Sequence, residues 1–145
     1  MARIPFKTRT SSIDRIAQPV AAIDVSVFCR GLAAWPRSWM GLEIDLPQGE
    51  QLLDCFRPFI AHLASSGLSK KTIRSHVDNL WVLGGEIIRS LHSDPALRKV
   101  SMEPILRNAI DDEGGPLIHN GSEEDQHSLD STCRKFHRFL SQSQK

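Results

Sequence analysis

The fold of this chain is decided by residues 69–92, which read SKKTIRSHVDNLWVLGGEIIRSLH. Apolar side chains recur there every three or four residues, a period that places them on one face of an α-helix. The positions on this face are Ile73, Val77, Leu80, Trp81, Gly84, Ile87, Ile88 and Leu91. Ser69 is a good N-cap, and the Asp94-Pro95 pair ends the pattern. The stretch therefore predicts a long helix whose apolar face, Trp81 included, is turned toward a core.

Amphipathic patterns predict three further helices, at residues 49–65, 101–111 and 122–142. Pro58 lies inside the first and should kink it or divide it. Gly67 is placed to end that helix in a left-handed conformation. Ser101 is expected to cap the second of these helices, and Ser122 to open a capping box on the last. Gly84, a glycine on the apolar face of the long helix, predicts the close approach of a neighbouring element.

The predicted fold class is therefore all-α, a compact bundle of about four main helices. Residues 35–48 carry Trp35 and Trp39 together with two prolines and a glycine, and predict an irregular segment that packs on the core through its tryptophans. Residues 1–30 are predicted to be a flexible or weakly structured N-terminal arm, followed by a single helical domain over 31–145. The apolar, β-branched stretch 21–34 leaves a short helix and an extended segment both open.

Composition favours an ordinary globular protein of the cytoplasm. The chain has 145 residues and a formal net charge of +1, so its overall charge does not require a polyanionic partner. No apolar run reaches the roughly 20 residues of a membrane-spanning helix, and no apolar stretch follows the basic N-terminus as in a secretory signal. Cys29, Cys55 and Cys133 are odd in number and widely spaced, which favours reduced thiols over a disulfide framework.

Two segments together resemble the helical core-binding domain of tyrosine recombinases and phage integrases. They are FIAHLASSGLSKKTIRSHVDNLWVLGG at residues 59–85 and STCRKFHRFL at residues 131–140. In that family a helix ends in a Gly-Leu-Ser turn, the next begins with a Thr-Ile pair, and a final helix carries an arginine and paired phenylalanines. The resemblance covers roughly residues 50–142 and implies a helical fold and, more weakly, DNA contact through the helix starts.

The departures from that family limit what the resemblance implies. The chain contains no tyrosine, so the nucleophile of those recombinases cannot be present. The match stops at the helical part, and we expect neither a catalytic domain nor strand-transfer activity. No GxSxG, GxxxxGK[ST], GxGxxG or HExxH pattern occurs either. The sequence therefore predicts a protein that is not an enzyme and that has no cofactor and no metal site.

Basic residues at two helix positions are the candidate DNA-binding residues. Lys70, Lys71 and Arg74 surround the start of the long helix, where free backbone N–H groups bind phosphate well, and Thr72 could also donate a hydrogen bond. Arg134 and Arg138 form a second basic group on the last helix. The alternative is that these cations are an ordinary solvated face, which for Arg134 and Arg138 also suits the negative end of the helix dipole.

Two functional hypotheses follow from this pattern. The first is a non-catalytic DNA-binding or recombination-accessory module of a bacterial mobile element, with duplex DNA as its partner. The second is a helical protein-interaction or assembly module, homo-oligomeric or bound to another protein, without nucleic acid. Exposed tryptophan in the 35–48 segment, or surplus apolar surface on the bundle, would favour the second hypothesis. Neither hypothesis involves a membrane.

Overall fold

The structure, a computed structural model, describes residues 31–143, and within that range every regular element is helical. The five α-helices are α1 (Trp35–Trp39), α2 (Leu46–Ala64), α3 (Lys70–Ser93), α4 (Met102–Ala109) and α5 (Glu123–Ser143). The all-α fold class is thus confirmed, and α2 to α5 match the four predicted helices to within a few residues. The predicted N-terminal arm at 1–30 lies outside the described residues, as do residues 144 and 145.

Helix α3 is the longest element and begins as its sequence predicts. The Ser69 hydroxyl accepts a hydrogen bond from the Thr72 N–H at 3.1 Å, which is the N-cap interaction. Gly67, in the connection from α2, has φ of 85°, the left-handed conformation that glycine adopts without strain. Leu68 packs against the core directly after it. This short connection fixes α2 and α3 as neighbours in the bundle.

Helix α2 passes through Pro58 without being divided, so of the two predicted outcomes, a kink or a division, the division does not occur. Proline at this position removes one backbone N–H and crowds the carbonyl of Asp54. Both Pro58 and Asp54 are exposed, so water can hydrate the carbonyl that loses its partner. The buried side of the helix, which carries Phe56, Phe59 and Ile60, keeps its packing across the proline.

Aromatic side chains form a continuous column through the core. Trp39 packs on Trp35 and on Phe56, with ring centroids 5.7 and 6.1 Å apart. Phe136 of α5 meets Phe56 edge-on and stacks on Phe59 with centroids 4.5 Å apart. Each large apolar side chain buried in this way contributes roughly 1.5–3 kcal/mol relative to an exposed one. The column joins α1, α2 and α5, and it carries most of the aromatic surface of the domain.

The tryptophan-containing segment is more regular than predicted but packs as predicted. It consists of α1 and a 3-10 turn at Glu43–Asp45, joined by an exposed connection. Trp35 and Trp39 are buried, and the indole N–H of Trp39 donates to the carbonyl of Trp81 at 2.9 Å. The Trp39 ring lies directly against Gly84, where a Cβ would overlap it. The close approach predicted from Gly84 is therefore confirmed, and its partner is an indole ring.

A polar seam joins α3 to α5. The Asn79 amide donates to the Ser128 hydroxyl and to the buried Thr132 hydroxyl, both at 2.9 Å, and His76 Nδ1 lies 2.7 Å from the same Thr132 oxygen. Because residue 76 meets 132 and residue 79 meets both 132 and 128, the two helices run antiparallel. Burial lowers the pKa of His76, and the nearby charge of Lys135 lowers it further. The seam therefore favours the neutral form of His76, whose Nδ1 shares a hydrogen bond with the Thr132 hydroxyl.

The two later helices begin differently. The Asp125 N–H donates to the Ser122 hydroxyl at 3.0 Å and the Asp125 carboxylate accepts from the Ser122 N–H at 3.2 Å, so the predicted capping box of α5 is confirmed. Ser101, in contrast, makes no side-chain cap on α4. The Met102 N–H donates instead to the Gln51 side chain at 3.1 Å. A tertiary contact from α2 thus replaces the predicted local one.

Candidate nucleic-acid interface

The exposed side of α3 is basic along most of its length. At 3.6 residues per turn, an arc of about 100° contains the buried Ile88 at one edge and eight residues that reach solvent: Lys70, Lys71, Arg74, Asp78, Trp81, Gly85, Arg89 and His92. We call this surface the α3 arc. Every one of these residues is exposed except Gly85, which is partly buried. The arc carries four permanently positive side chains against one negative one, and it extends over a helix about 36 Å long.

Carboxylates do little to neutralise these cations. None of the ion pairs found among residues 31–143 involves Lys70, Lys71 or Arg74. Glu86 lies at the border of the arc, but its carboxylate is nearly buried and accepts from the backbone N–H of His119 at 3.2 Å. Arg89 lies 3.8 Å from the same carboxylate and stays largely exposed. The positive potential of the arc is therefore directed at solvent.

The first turn of α3 adds unpaired backbone donors to this surface. The cap on Ser69 satisfies the N–H of Thr72, and the Ser69 carbonyl accepts from Ile73. The N–H groups of Lys70 and Lys71 find no acceptor in the part of the chain that the structure describes. The first turn also contains no acidic residue. Free N–H groups, the positive end of the helix dipole and lysine side chains together make a surface suited to an anion.

The predicted site residues fall into two groups on different surfaces. Lys70, Lys71 and Arg74 lie together on the α3 arc. Thr72 is exposed but lies on the side of α3 that carries His76, and its hydroxyl accepts from Ser69 at 2.9 Å. Arg134 and Arg138 belong to α5, which contacts α3 through the polar seam, about 150° around α3 from the arc. The structure therefore does not bring the α5 arginines onto the same face as the lysines.

Arg134 and Arg138 also differ from each other. Arg134 is partly buried and donates to the Glu113 carbonyl at 3.4 Å, a contact that ties α5 to the preceding loop. Arg138 is exposed. On α5 they lie about 160° and 120° around the helix from Thr132, the residue that contacts α3. Lys135, by comparison, lies close enough to His76 to lower its pKa and is the α5 cation nearest the seam.

Trp81 is the residue whose position the sequence pattern predicts wrongly. Its side chain is 44% exposed, although the apolar spacing placed it on the buried face. The reason is angular: Trp81 lies about 80° around the helix from Ile73, at the edge of the buried stripe. Its indole N–H donates to the Ser38 hydroxyl at 2.9 Å, which fixes the ring beside α1. The sequence pattern does not predict this exposed, anchored indole on a basic surface.

A groove of about 450 Å³ opens next to Trp81. One wall is α3, and the other walls are the residues that follow α1 and the loop at Ile118 and His119. Its apolar surface comes from Met40, Val82, Ile88 and Ile118 in addition to the tryptophan, and its polar rim from Glu86, Arg89, His92 and His119. The volume lies within the roughly 300–1,000 Å³ of small-ligand sites.

A buried ionic cluster, formed by Asp45, His92 and Arg98, lies at one end of this groove. Asp45 is 1% exposed and accepts from the N–H groups of Gly41 and Leu42 at 2.9 and 3.0 Å, and from His92 Nε2 at 2.8 Å. Arg98 lies 2.6 Å from the other carboxylate oxygen, an ion pair between two atoms that have no well-directed hydrogen bond. Burial raises the pKa of Asp45, but hydrogen bonds from His92 and the two backbone groups, together with the ion pair to Arg98, outweigh it and hold this pKa well below its usual value.

Comparison with protein families, with curated proteins and with solved structures finds no match to this chain.

No group of three or more histidine, cysteine or acidic side chains in residues 31–143 is arranged to hold a metal ion. Cys133 is fully buried, as the apolar stripe predicts, and burial, with Asp130 and Asp111 nearby, raises its pKa to about 12. Within the same range, no helix has both the length and the apolar character needed to cross a bilayer.

Proposed function

We propose that this protein is a non-catalytic DNA-binding module that contacts the phosphate backbone through the α3 arc. The single observation that carries the proposal is the exposure of Lys70, Lys71 and Arg74, without carboxylate partners, around the free N–H groups of the α3 start. Phosphate contacts from lysine, arginine and helix N-termini position proteins on DNA, and they supply most of the affinity in binding that is independent of sequence.

The arrangement favours a phosphate ligand over an ordinary solvated face for an electrostatic reason. Cations at a helix N-terminus oppose the helix dipole and cost about 0.3–1 kcal/mol each at low ionic strength. Acidic residues would be the stabilising choice there, as they are at the start of α5, which begins with Glu123, Glu124 and Asp125. A bound phosphate reverses the sign of this interaction and makes each cation favourable. The contrast between the two helix starts supports an anionic partner for α3.

The resemblance to the core-binding domain of tyrosine recombinases supports the same proposal and makes it more specific. The Gly67-Leu68-Ser69 turn and the start of α3 are among the residues that carry the resemblance, and they are the residues at the basic surface. A role as a recombination accessory in a bacterial mobile element is the finer form of the proposal. Because the chain has no tyrosine, the role would be to bind or position DNA without cleaving it.

A titration of fluorescein-labelled duplex DNA with the full chain at low salt, read by anisotropy, tests the proposal. Three to four neutralised phosphates predict that log K falls with log salt concentration with a slope of about −3. Replacing Lys70, Lys71 and Arg74 by glutamate should abolish binding. A matched control reverses Arg57, Lys99 and Arg107, which changes net charge equally but lies off α3. No binding by the unmutated protein, or equal loss in both triple variants, would overturn the proposal.

The second candidate, a protein-interaction module, is favoured by apolar side chains that the fold leaves in solvent. Leu42 and Ile44 are 57% and 55% exposed in the connection before α2, and Leu117 is 80% exposed. Trp35 and Trp39, in contrast, are buried and offer no surface to a partner. Sedimentation that shows a salt-resistant oligomer, together with no DNA binding, would decide for this candidate.

A further inference from the structure

We infer that Trp81 and the groove beside it bind an unpaired nucleobase, so that the α3 arc recognises single-stranded or locally opened nucleic acid. The inference rests on the proposed function, because it requires the phosphate contacts of the same arc. It adds the nucleobase as a ligand and Trp81 as a binding residue, and the phosphate contacts involve neither. Proteins that bind single strands combine a basic track for the backbone with aromatic side chains on which bases stack.

The spacing of charges around Trp81 fits such a strand. Arg74 lies seven residues before the indole and Arg89 eight residues after it, or about 10 and 12 Å along the helix axis. A phosphate on either side of a base stacked on Trp81 could thus meet a cation. Asp78 is the only acid on the arc, and it lies one turn from the indole. Its position favours a ligand that approaches Trp81 from the groove side.

The groove can accept the base itself. Its 450 Å³ volume, its apolar lining and the indole edge give room for a planar aromatic group. Glu86 offers carboxylate oxygens there, and they are held by the His119 N–H at 3.2 Å and the His119 ring at 3.0 Å. His119 and His92 add polar groups on the rim. Each of these groups has a partner within the fold, and together they give the groove a polar rim beside its apolar lining, which suits the polar edge and the flat face of a base.

The indole is preorganised for stacking. Its N–H is held by Ser38, and the carbonyl of Trp81 is held by the indole of Trp39, so both ends of the residue are fixed. A fixed aromatic ring loses little conformational entropy when a base stacks on it. The exposed Trp81 therefore has the properties of a binding residue, whereas Leu117 is more exposed but is not among the residues that line this groove.

The test compares a single-stranded oligonucleotide of about 10 nucleotides with an abasic oligonucleotide that carries the same phosphates. For the full chain we expect Trp81→Ala to weaken binding of the first by about 5- to 150-fold and to leave binding of the second unchanged. Trp81→Phe should retain most of the affinity, and Leu117→Ala is the control for loss of an exposed apolar side chain. In the unmutated protein the base-containing strand should quench tryptophan fluorescence, and Trp81→Phe should remove this quenching.

Failure of base stacking and failure of phosphate binding give different experimental results. Equal binding of both oligonucleotides, with no effect of Trp81→Ala and no quenching, would overturn base stacking and leave the phosphate proposal standing. No binding of either strand or of duplex by the unmutated protein would overturn both. An oligomer that Trp81→Ala dissociates in the absence of nucleic acid would assign the groove to a second copy of the chain and overturn the inference. If Trp81→Ala fails to fold, quenching in the unmutated protein decides the question.

Discussion

The indole of Trp39 occupies the space in which a side chain at Gly84 would stand. A Cβ at Gly84 would overlap the six-membered part of the ring, whereas a Cβ at Gly85 would stand 3.5 Å from Trp39 Cδ1, an ordinary contact. Two adjacent glycines in the same helix therefore have different structural roles. The first permits α1 to dock on α3, and the second is a helix position with room for a methyl group.

This difference predicts opposite effects of alanine at the two positions. Gly84→Ala must displace Trp39 and should destabilise the protein by about 1–3 kcal/mol, the usual cost of overpacking a core. Gly85→Ala should be neutral or stabilise it by up to about 1 kcal/mol, because alanine is the better helix former. Urea unfolding of the two variants measures both effects. Equal destabilisation would contradict the packing described for Trp39.

The buried Asp45 predicts a dependence of stability on pH. Because hydrogen bonds and Arg98 hold its folded-state pKa below the unfolded value of about 3.9, the unfolded state takes up the proton first as pH falls. The stability that the Asp45 charge contributes is therefore fully present above about pH 4 and is lost as pH falls through the folded-state pKa. The contribution of the Asp45 charge to stability therefore does not change between pH 5 and pH 8.

Asp45→Asn isolates that contribution. The variant leaves the Arg98 charge with only 14% side-chain exposure and no counter-ion, which should cost about 3–5 kcal/mol at pH 7. The difference in unfolding free energy between Asp45→Asn and the unmutated protein should shrink at pH 3, where the carboxyl is mostly protonated in the unfolded state. The same difference at pH 3 and pH 7 would show that the Asp45 charge does not stabilise the fold.

Cys55 and Cys133 should differ in their reactivity toward alkylating reagents. Cys133 is fully buried with a pKa raised to about 12, so it forms almost no thiolate at neutral pH. Cys55 is partly buried, and burial together with Glu103 and Asp54 raises its pKa as well. In a Cys29→Ser variant, alkylation followed by mass spectrometry should label Cys55 slowly and Cys133 only on unfolding. Rapid labelling of Cys133 in the folded protein would contradict its buried position in α5.

The separation of the two basic groups predicts that they contribute unequally to binding. Lys71→Glu/Arg74→Glu should weaken DNA binding far more than Arg134→Glu/Arg138→Glu, although both pairs change net charge by the same amount. The α5 arginines lie off the arc, so only their long-range attraction should be lost, and that loss should vanish as salt rises. Anisotropy titrations at two salt concentrations measure the loss of DNA affinity in each double variant. A larger loss in the α5 pair would move the interface to α5.

Local rules were sufficient for much of the fold because the patterns that specify it are local. The Ser69 cap, the left-handed Gly67 and the Ser122 capping box each depend on residues within a few positions of one another, and all three are confirmed. The uninterrupted α2 at Pro58 and the α4 start held by Gln51 depend on solvent exposure and on a distant contact. Helical spacing alone carries no information on either.

The candidate site was only partly visible in the sequence for a similar reason. Lys70, Lys71 and Arg74 are adjacent along the chain, so helical geometry alone placed them on one surface. Trp81 lies at the edge of the apolar stripe, and its exposure depends on where α1 docks. Arg134 and Arg138 could be assigned to a face only when the polar seam fixed the rotation of α5 against α3.

The most direct test of the account is to map backbone amide and indole signals by NMR while DNA is added to the isotopically labelled full chain. The predicted result is that the largest shifts occur at the amides of Lys70, Lys71 and Arg74 and, with single-stranded DNA, at the indole N–H of Trp81. Shifts concentrated on the outer face of α5, or none at low salt, would contradict it.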